Sequence, residues 1–146
     1  MKSRLLVAIS IMATVTGCAI TQSVKPIDSL AGKEICVVVN PAVQHQGFLA
    51  TYQRVLTEKG YLVRQLPAGA PVNACPVTST YTANWRWDLA LYMAYADIKV
   101  FNNGVQSGQV TYDALQGGFN MNKFIKGETK VVELVNQLFP GNAKPS

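Results

Sequence analysis

The chain has 146 residues, 49% of them hydrophobic and 14% charged, and carries a formal net charge of +5. That length suits one domain with a tail, since domains commonly run to about 100–150 residues. Charge this sparse, with only 11 Gly and 7 Pro, excludes a disordered polyelectrolyte, a collagen-like repeat and a coiled coil.

Lys2 and Arg4 form a positive start, and Leu5 to Val15 form an apolar run. A membrane-spanning helix needs about 20 apolar residues, so the run reads as an export signal. Val15-Thr16-Gly17-Cys18 resembles the bacterial lipobox, in which small residues precede a cysteine that takes a lipid thioether. The resemblance implies cleavage after residue 17 and a mature chain anchored through acylated Cys18. Ala19 is not the Asp that resembles an inner-membrane retention signal, so the outer membrane is expected, with the domain facing the periplasm. Loss of Lys2 and Arg4 lowers the mature net charge to +3, from 13 Lys and Arg against 8 Asp and Glu in the full chain. No nucleic-acid motif accompanies that charge, and an exported protein is in the wrong compartment for such a partner.

Residues 18–32 read as a lipidated polar tether, 33–140 as a single domain and 141–146 as a flexible tail. The first expected strand, Glu34 to Val39, is a continuous apolar run suited to burial on both faces. Gln46 to Lys59 places Phe48, Leu49, Tyr52, Val55 and Leu56 at helical spacing, and Gly60 follows where a helix-ending glycine belongs. Tyr61 to Leu66 is a second strand. A strand, a helix and a strand at this spacing predict a right-handed crossover with parallel strands.

Pro67 to Pro76 is a loop, after which Thr80 to Trp85 alternates, with Tyr81, Ala83 and Trp85 on one face. Leu89 to Phe101 and Val105 to Ala114 predict a hairpin about Asn102-Asn103-Gly104. A two-residue turn would pair Asp97 with Val110. A three-residue loop would pair Ala96 with Val110 and Ala94 with Tyr112, matching apolar to apolar, and is preferred. After Gly117-Gly118, a last helix is expected from an Asn122 cap to about Phe139, before Pro140-Gly141. The order predicts an α+β two-layer sandwich: a mixed sheet of four or five strands covered on one face by two helices.

With Cys18 assigned to lipid, Cys36 and Cys75 remain as a pair in an oxidising compartment. A disulfide between them would close a long loop and stabilise the fold by roughly 3–4 kcal/mol. A reactive thiol would instead need a nearby base. His45 is the single histidine, and with two bonded cysteines it makes no zinc site. The carboxylates are scattered, and no glycine-rich phosphate loop follows a strand. The expected function is therefore non-enzymatic, with no metal and no cofactor.

Two surfaces carry the functional expectation. The hairpin face opposite the expected core holds Leu91, Met93, Tyr95 and Phe101, with Asp97 and Lys99 among them. Such a row wants cover, either from a partner or from the tether and the Pro67–Pro76 loop. Lys123, Lys126 and Lys130 would share one face of the last helix, as a solvated stripe or as a site for lipopolysaccharide or a phosphorylated glycan.

The lipobox and element order together resemble the small proteobacterial lipoproteins of the envelope. The layout of residues 33–139 is also similar to the LptE-like lipoproteins and the N-terminal modules of TolB-type proteins. The resemblance implies an accessory protein held by lipid and docked on another envelope component through the aromatic sheet face. The alternative is a binding module for an anionic envelope ligand.

Overall fold

The computed structural model describes residues 19–142; Cys18 and the export signal lie outside them. Strands β1 (Thr21–Lys25), β2 (Glu34–Val38), β3 (Leu62–Leu66), β4 (Val77–Asp88), β5 (Ala90–Asn102) and β6 (Val105–Asp113) form one sheet in the order β1-β6-β5-β4-β2-β3. Helices α1 (Gln46–Glu58) and α2 (Gly127–Leu138), with a short 3-10 turn at Met121–Phe124, complete the α+β sandwich. β2 pairs parallel with both β3 and β4, and every other pairing is antiparallel. The sheet is mixed as expected, but has six strands.

The sixth strand comes from the tether. Thr21–Lys25 pairs with the free edge of β6 from Thr21 opposite Asp113 to Lys25 opposite Gln109. All five residues are exposed, so no apolar alternation advertised a strand; the unpaired backbone groups of β6 supply the reason for pairing. Ile27 then turns inward, and its N–H donates to the Leu138 carbonyl, closing the chain against the end of α2.

The core lies between the sheet and the helices. From α1 come Phe48, Tyr52 and Leu56, and from α2 Val131, Leu134, Val135 and Leu138, packed on Ile35, Val37, Val77, Ala96, Ile98 and Val110. Each large apolar side chain buried this way contributes about 1.5–3 kcal/mol. Gly60, at φ 88°, ends α1: its N–H bonds the Thr57 carbonyl and the Tyr61 N–H bonds that of Leu56, the Schellman arrangement. One polar chain crosses the core. Ser79 Oγ donates to the Lys99 carbonyl at 2.9 Å, so Tyr52 Oη is the donor in its 2.7 Å bond to Ser79.

The hairpin register differs from both sequence alternatives. Asn103 and Gly104 have positive φ and make a two-residue turn, with Asn102 opposite Val105. A bulge at Val100/Phe101 then shifts the ladder so that Ile98 faces Val110 and Ala96 faces Tyr112. The apolar matching that favoured the three-residue loop is met, but by a bulge that gains the extra residue inside the strand.

Candidate functional site

The sheet face turned away from the helices has no covering layer among the described residues except at one corner. There Cys36 and Cys75 form a disulfide with Cα atoms 6.2 Å apart, pinning the 67–76 loop over the β2 end. Arg64 Nη2 lies 3.1 Å from Cys75 Sγ, and its Nε donates to Glu34 at 2.6 Å. Glu34, Cys36 and Cys75 form a cluster of metal-ligand types, but the two sulfurs are bonded to each other and the carboxylate is paired with Arg64.

Along β5 and β6 the same face is polar at its centre. Asp97, 8% exposed, accepts hydrogen bonds from Gln109 Nε2 at 2.7 Å and Thr111 Oγ1 at 3.1 Å, and Lys99 Nζ lies 3.5 Å away. Tyr95 and Phe101 flank this network and are half-buried. The Tyr95 hydroxyl is pushed up from its ordinary pKa by burial and by the charges of Asp97 and Asp113.

Of the row Leu91, Met93, Tyr95 and Phe101, only Tyr95 and Phe101 share this face. A bulge between Asn84 and Trp85 leaves Ala94 out of the β4–β5 pairing and turns the strand over. Met93 is consequently buried at 1% exposure, beside Trp85 and the Gly127 backbone at the start of α2. Leu91, beyond the bulge, is exposed near the hairpin tip. Period-two counting cannot see a bulge, and every residue past it changes side.

The lysine stripe does not form. Ile125, with ψ 139°, separates the 3-10 turn from α2, so the last helix starts at Gly127 rather than at Asn122. Asn120, not Asn122, caps the turn, accepting from the Asn122 N–H at 3.0 Å. Lys123 is buried, with its ammonium bonded to Asp88 and the Gly118 carbonyl and set over the rings of Tyr92 and Phe124. Lys130 bonds Glu133 at 2.7 Å and lies over the Tyr112 ring; Lys126 alone of the three is exposed. Burial pushes the Glu133 carboxyl up, but bonds from Lys130 and Gln22 and the Lys130 charge outweigh it and hold the pKa below the usual value.

His45 precedes α1, where its ring stacks on Trp85 with centroids 4.5 Å apart and planes within 9°. It is thus an aromatic packing partner, and Cys36 and Cys75 are bonded to each other. A cleft of about 450 Å³ between the 27–33 segment and Pro140–Asn142 gathers none of the sequence-predicted residues.

A second feature goes beyond the sequence expectation, which held Leu91 but neither Phe119 nor Met121. Trp87, Leu89, Leu91, Phe119 and Met121 are all large, apolar and exposed, Phe119 at 99%. The buried Lys123, bridging Asp88 to the Gly118 carbonyl, ties the β4–β5 tip to the segment carrying Phe119 and Met121. Leu89, at φ 62°, turns the tip in the left-handed region that favours glycine and holds its side chain outward. The available signal was apolar residues set among Gly117-Gly118, Asn120 and Asn122, where turn chemistry alone needs none.

No protein-family model and no curated protein sequence matches the chain. Among solved structures it is similar to the PelC dodecamer from Paraburkholderia phytofirmans, at 15% identity and TM-score 0.56 over 84% of this chain and 99% of that one. A variant of the same PelC dodecamer gives 14% identity and TM-score 0.56, over 87% of this chain and all of that one. A minor lipoprotein from Acinetobacter baumannii is more distant, at 10% identity and TM-score 0.42 over 80% of this chain. At these identities the likeness is one of fold.

Proposed function

We propose that the chain is a non-enzymatic, lipid-anchored accessory protein of the Gram-negative envelope, held on the outer membrane through Cys18. It docks on another envelope protein through the open sheet face. The observation that carries this reading is Asp97: a carboxylate almost wholly buried on a face with no covering layer, fixed by Gln109 and Thr111 and flanked by Tyr95 and Phe101. A polar group held in place beside aromatic side chains loses little freedom on binding, which is what a docking surface needs. The Val15-Thr16-Gly17-Cys18 motif supports the anchor.

Photo-crosslinking in intact cells from a probe at Tyr95, with exposed Glu58 on α1 as control, tests the docking. A single protein adduct at Tyr95 and none at Glu58 is expected. Equal labelling at both positions, or lipopolysaccharide as the adduct, overturns it. Lipopolysaccharide was the alternative ligand, and with Lys123 and Lys130 engaged inside the fold the lysines offer it little support.

A second reading has its own observation. The match to a dodecameric protein spans that protein's whole length, and both edges of the present sheet, β1 and β3, are free among the described residues. The docking partner is then a further copy of this chain. Light scattering on the purified acylated protein in detergent distinguishes an oligomer of copies from a monomer.

A further inference from the structure

We infer that the Trp87, Leu89, Leu91, Phe119 and Met121 end of the domain beds into the lipid surface beside Cys18, fixing how the domain stands on the membrane. This rests on the anchor reading above. Exposed apolar side chains scattered over a surface are ordinary; here Trp87, Leu89 and Leu91 sit at the β4–β5 tip, and Lys123 ties the segment of Phe119 and Met121 to that same end. The occupant follows from where the chain emerges. Thr21 lies level with Asp113, Tyr95 and Asn84 in the sheet, and the β4–β5 hairpin runs on beyond that level from Trp85 to Asp88. Going back from Thr21, the chain heads the same way, with Ile20 beside Gly117. Ala19, the first described residue, thus leaves the domain at the end that carries the apolar cluster, and the acylated residue is its immediate neighbour in the chain. The acyl chains therefore enter the bilayer at the same end as the apolar cluster.

Charge agrees with that occupant. Arg86, between the two tryptophans, and Lys126, at the start of α2, are exposed cations suited to headgroup phosphates. Asp88, the acidic residue of the hairpin tip, is neutralised by Lys123. An indole at the boundary, aliphatic side chains beyond it and cations behind make the arrangement of an interfacial anchor.

The test uses the mature acylated protein in phosphatidylethanolamine/phosphatidylglycerol vesicles whose acyl chains carry bromine, a quencher of tryptophan. The expected result is that the protein floats with the vesicles, and its emission shifts to the blue and is quenched. A Leu89→Asp/Phe119→Asp variant, altered only at exposed positions, should float equally and lose the shift and the quenching. Flotation without quenching, or equal quenching in the variant, overturns the seating while leaving the anchor standing. Failure of the wild type to float overturns the anchor, and the seating with it.

Discussion

Replacing both Cys36 and Cys75 by Ala removes the bond that holds the 67–76 loop to β2. The two cysteines are 39 residues apart. The chain-entropy relation turns that loop into about 4 kcal/mol of destabilisation, exerted mainly on the unfolded chain. Both sulfurs sit in buried residues, so the substitution also vacates a little packed volume, and the loss should not fall below the entropic figure. Domains of this size are stable by about 5–15 kcal/mol, so the variant should keep its fold with much of its margin gone. With a urea slope of about 1–3 kcal/mol per molar, the midpoint should drop by about 1.3–4 M while the native circular dichroism is unchanged. A loss under about 1 kcal/mol with unchanged native structure would refute the reasoning: the loop would then be held by the backbone N–H of residue 75 bonded to Thr78 Oγ1, and the unfolded chain would gain little freedom.

Three further outcomes are expected. Gly108→Val should destabilise by about 1–3 kcal/mol in thermal melts, since even a Cβ there would meet Ile27 Cγ2 at 2.5 Å and Leu138 Cδ1 at 3.0 Å; an unchanged melting temperature would mean that β1 and α2 give way freely. Asp88→Ala should cost more than Lys123→Met, because the first leaves a buried ammonium with one carbonyl while the second frees a carboxylate already half in water; the reverse order in urea titrations counts against the ion pair. Burial raises the Tyr52 pKa far above 10, so the folded state keeps a proton that the unfolded state loses. Stability should be fully held below pH about 10 and then fall with rising pH, by about 1.4 kcal/mol per unit for this group, and Tyr52→Phe should flatten that slope.

What was legible in the sequence was whatever follows from a regular period. The apolar run at Ile35–Val38, the stripe from Phe48 to Leu56, the glycine at position 60 and the alternation of Tyr81 and Ala83 each specify an element and its inward face, and two helices on a mixed sheet follow from their order. The cysteine pair was legible by elimination, and the structure joins it. What stayed hidden depends on interruptions of period and on partners remote in sequence. The two bulges that reset β5 gave no local signal, and one of them moved Met93 from the open face into the core. Lys123 reads as a solvent residue until Asp88, 35 positions earlier, is brought against it. Strand β1 has no apolar face at all, because its reason for being a strand lies in β6.

That last strand also decides how the domain bears a load. A pull on the chain at Ala19 runs along the axis of β1, whose five residues are laddered to β6. Antiparallel hydrogen bonds lie perpendicular to the strands, so the tension meets the ladder in shear and all its bonds share it together rather than opening one after another. Beyond the ladder, the Ile27 N–H bond to Leu138 fastens the same segment to α2. Tugging at this end should therefore move the domain as a rigid body, whereas peeling β1 sideways from the edge would strip it at far lower force.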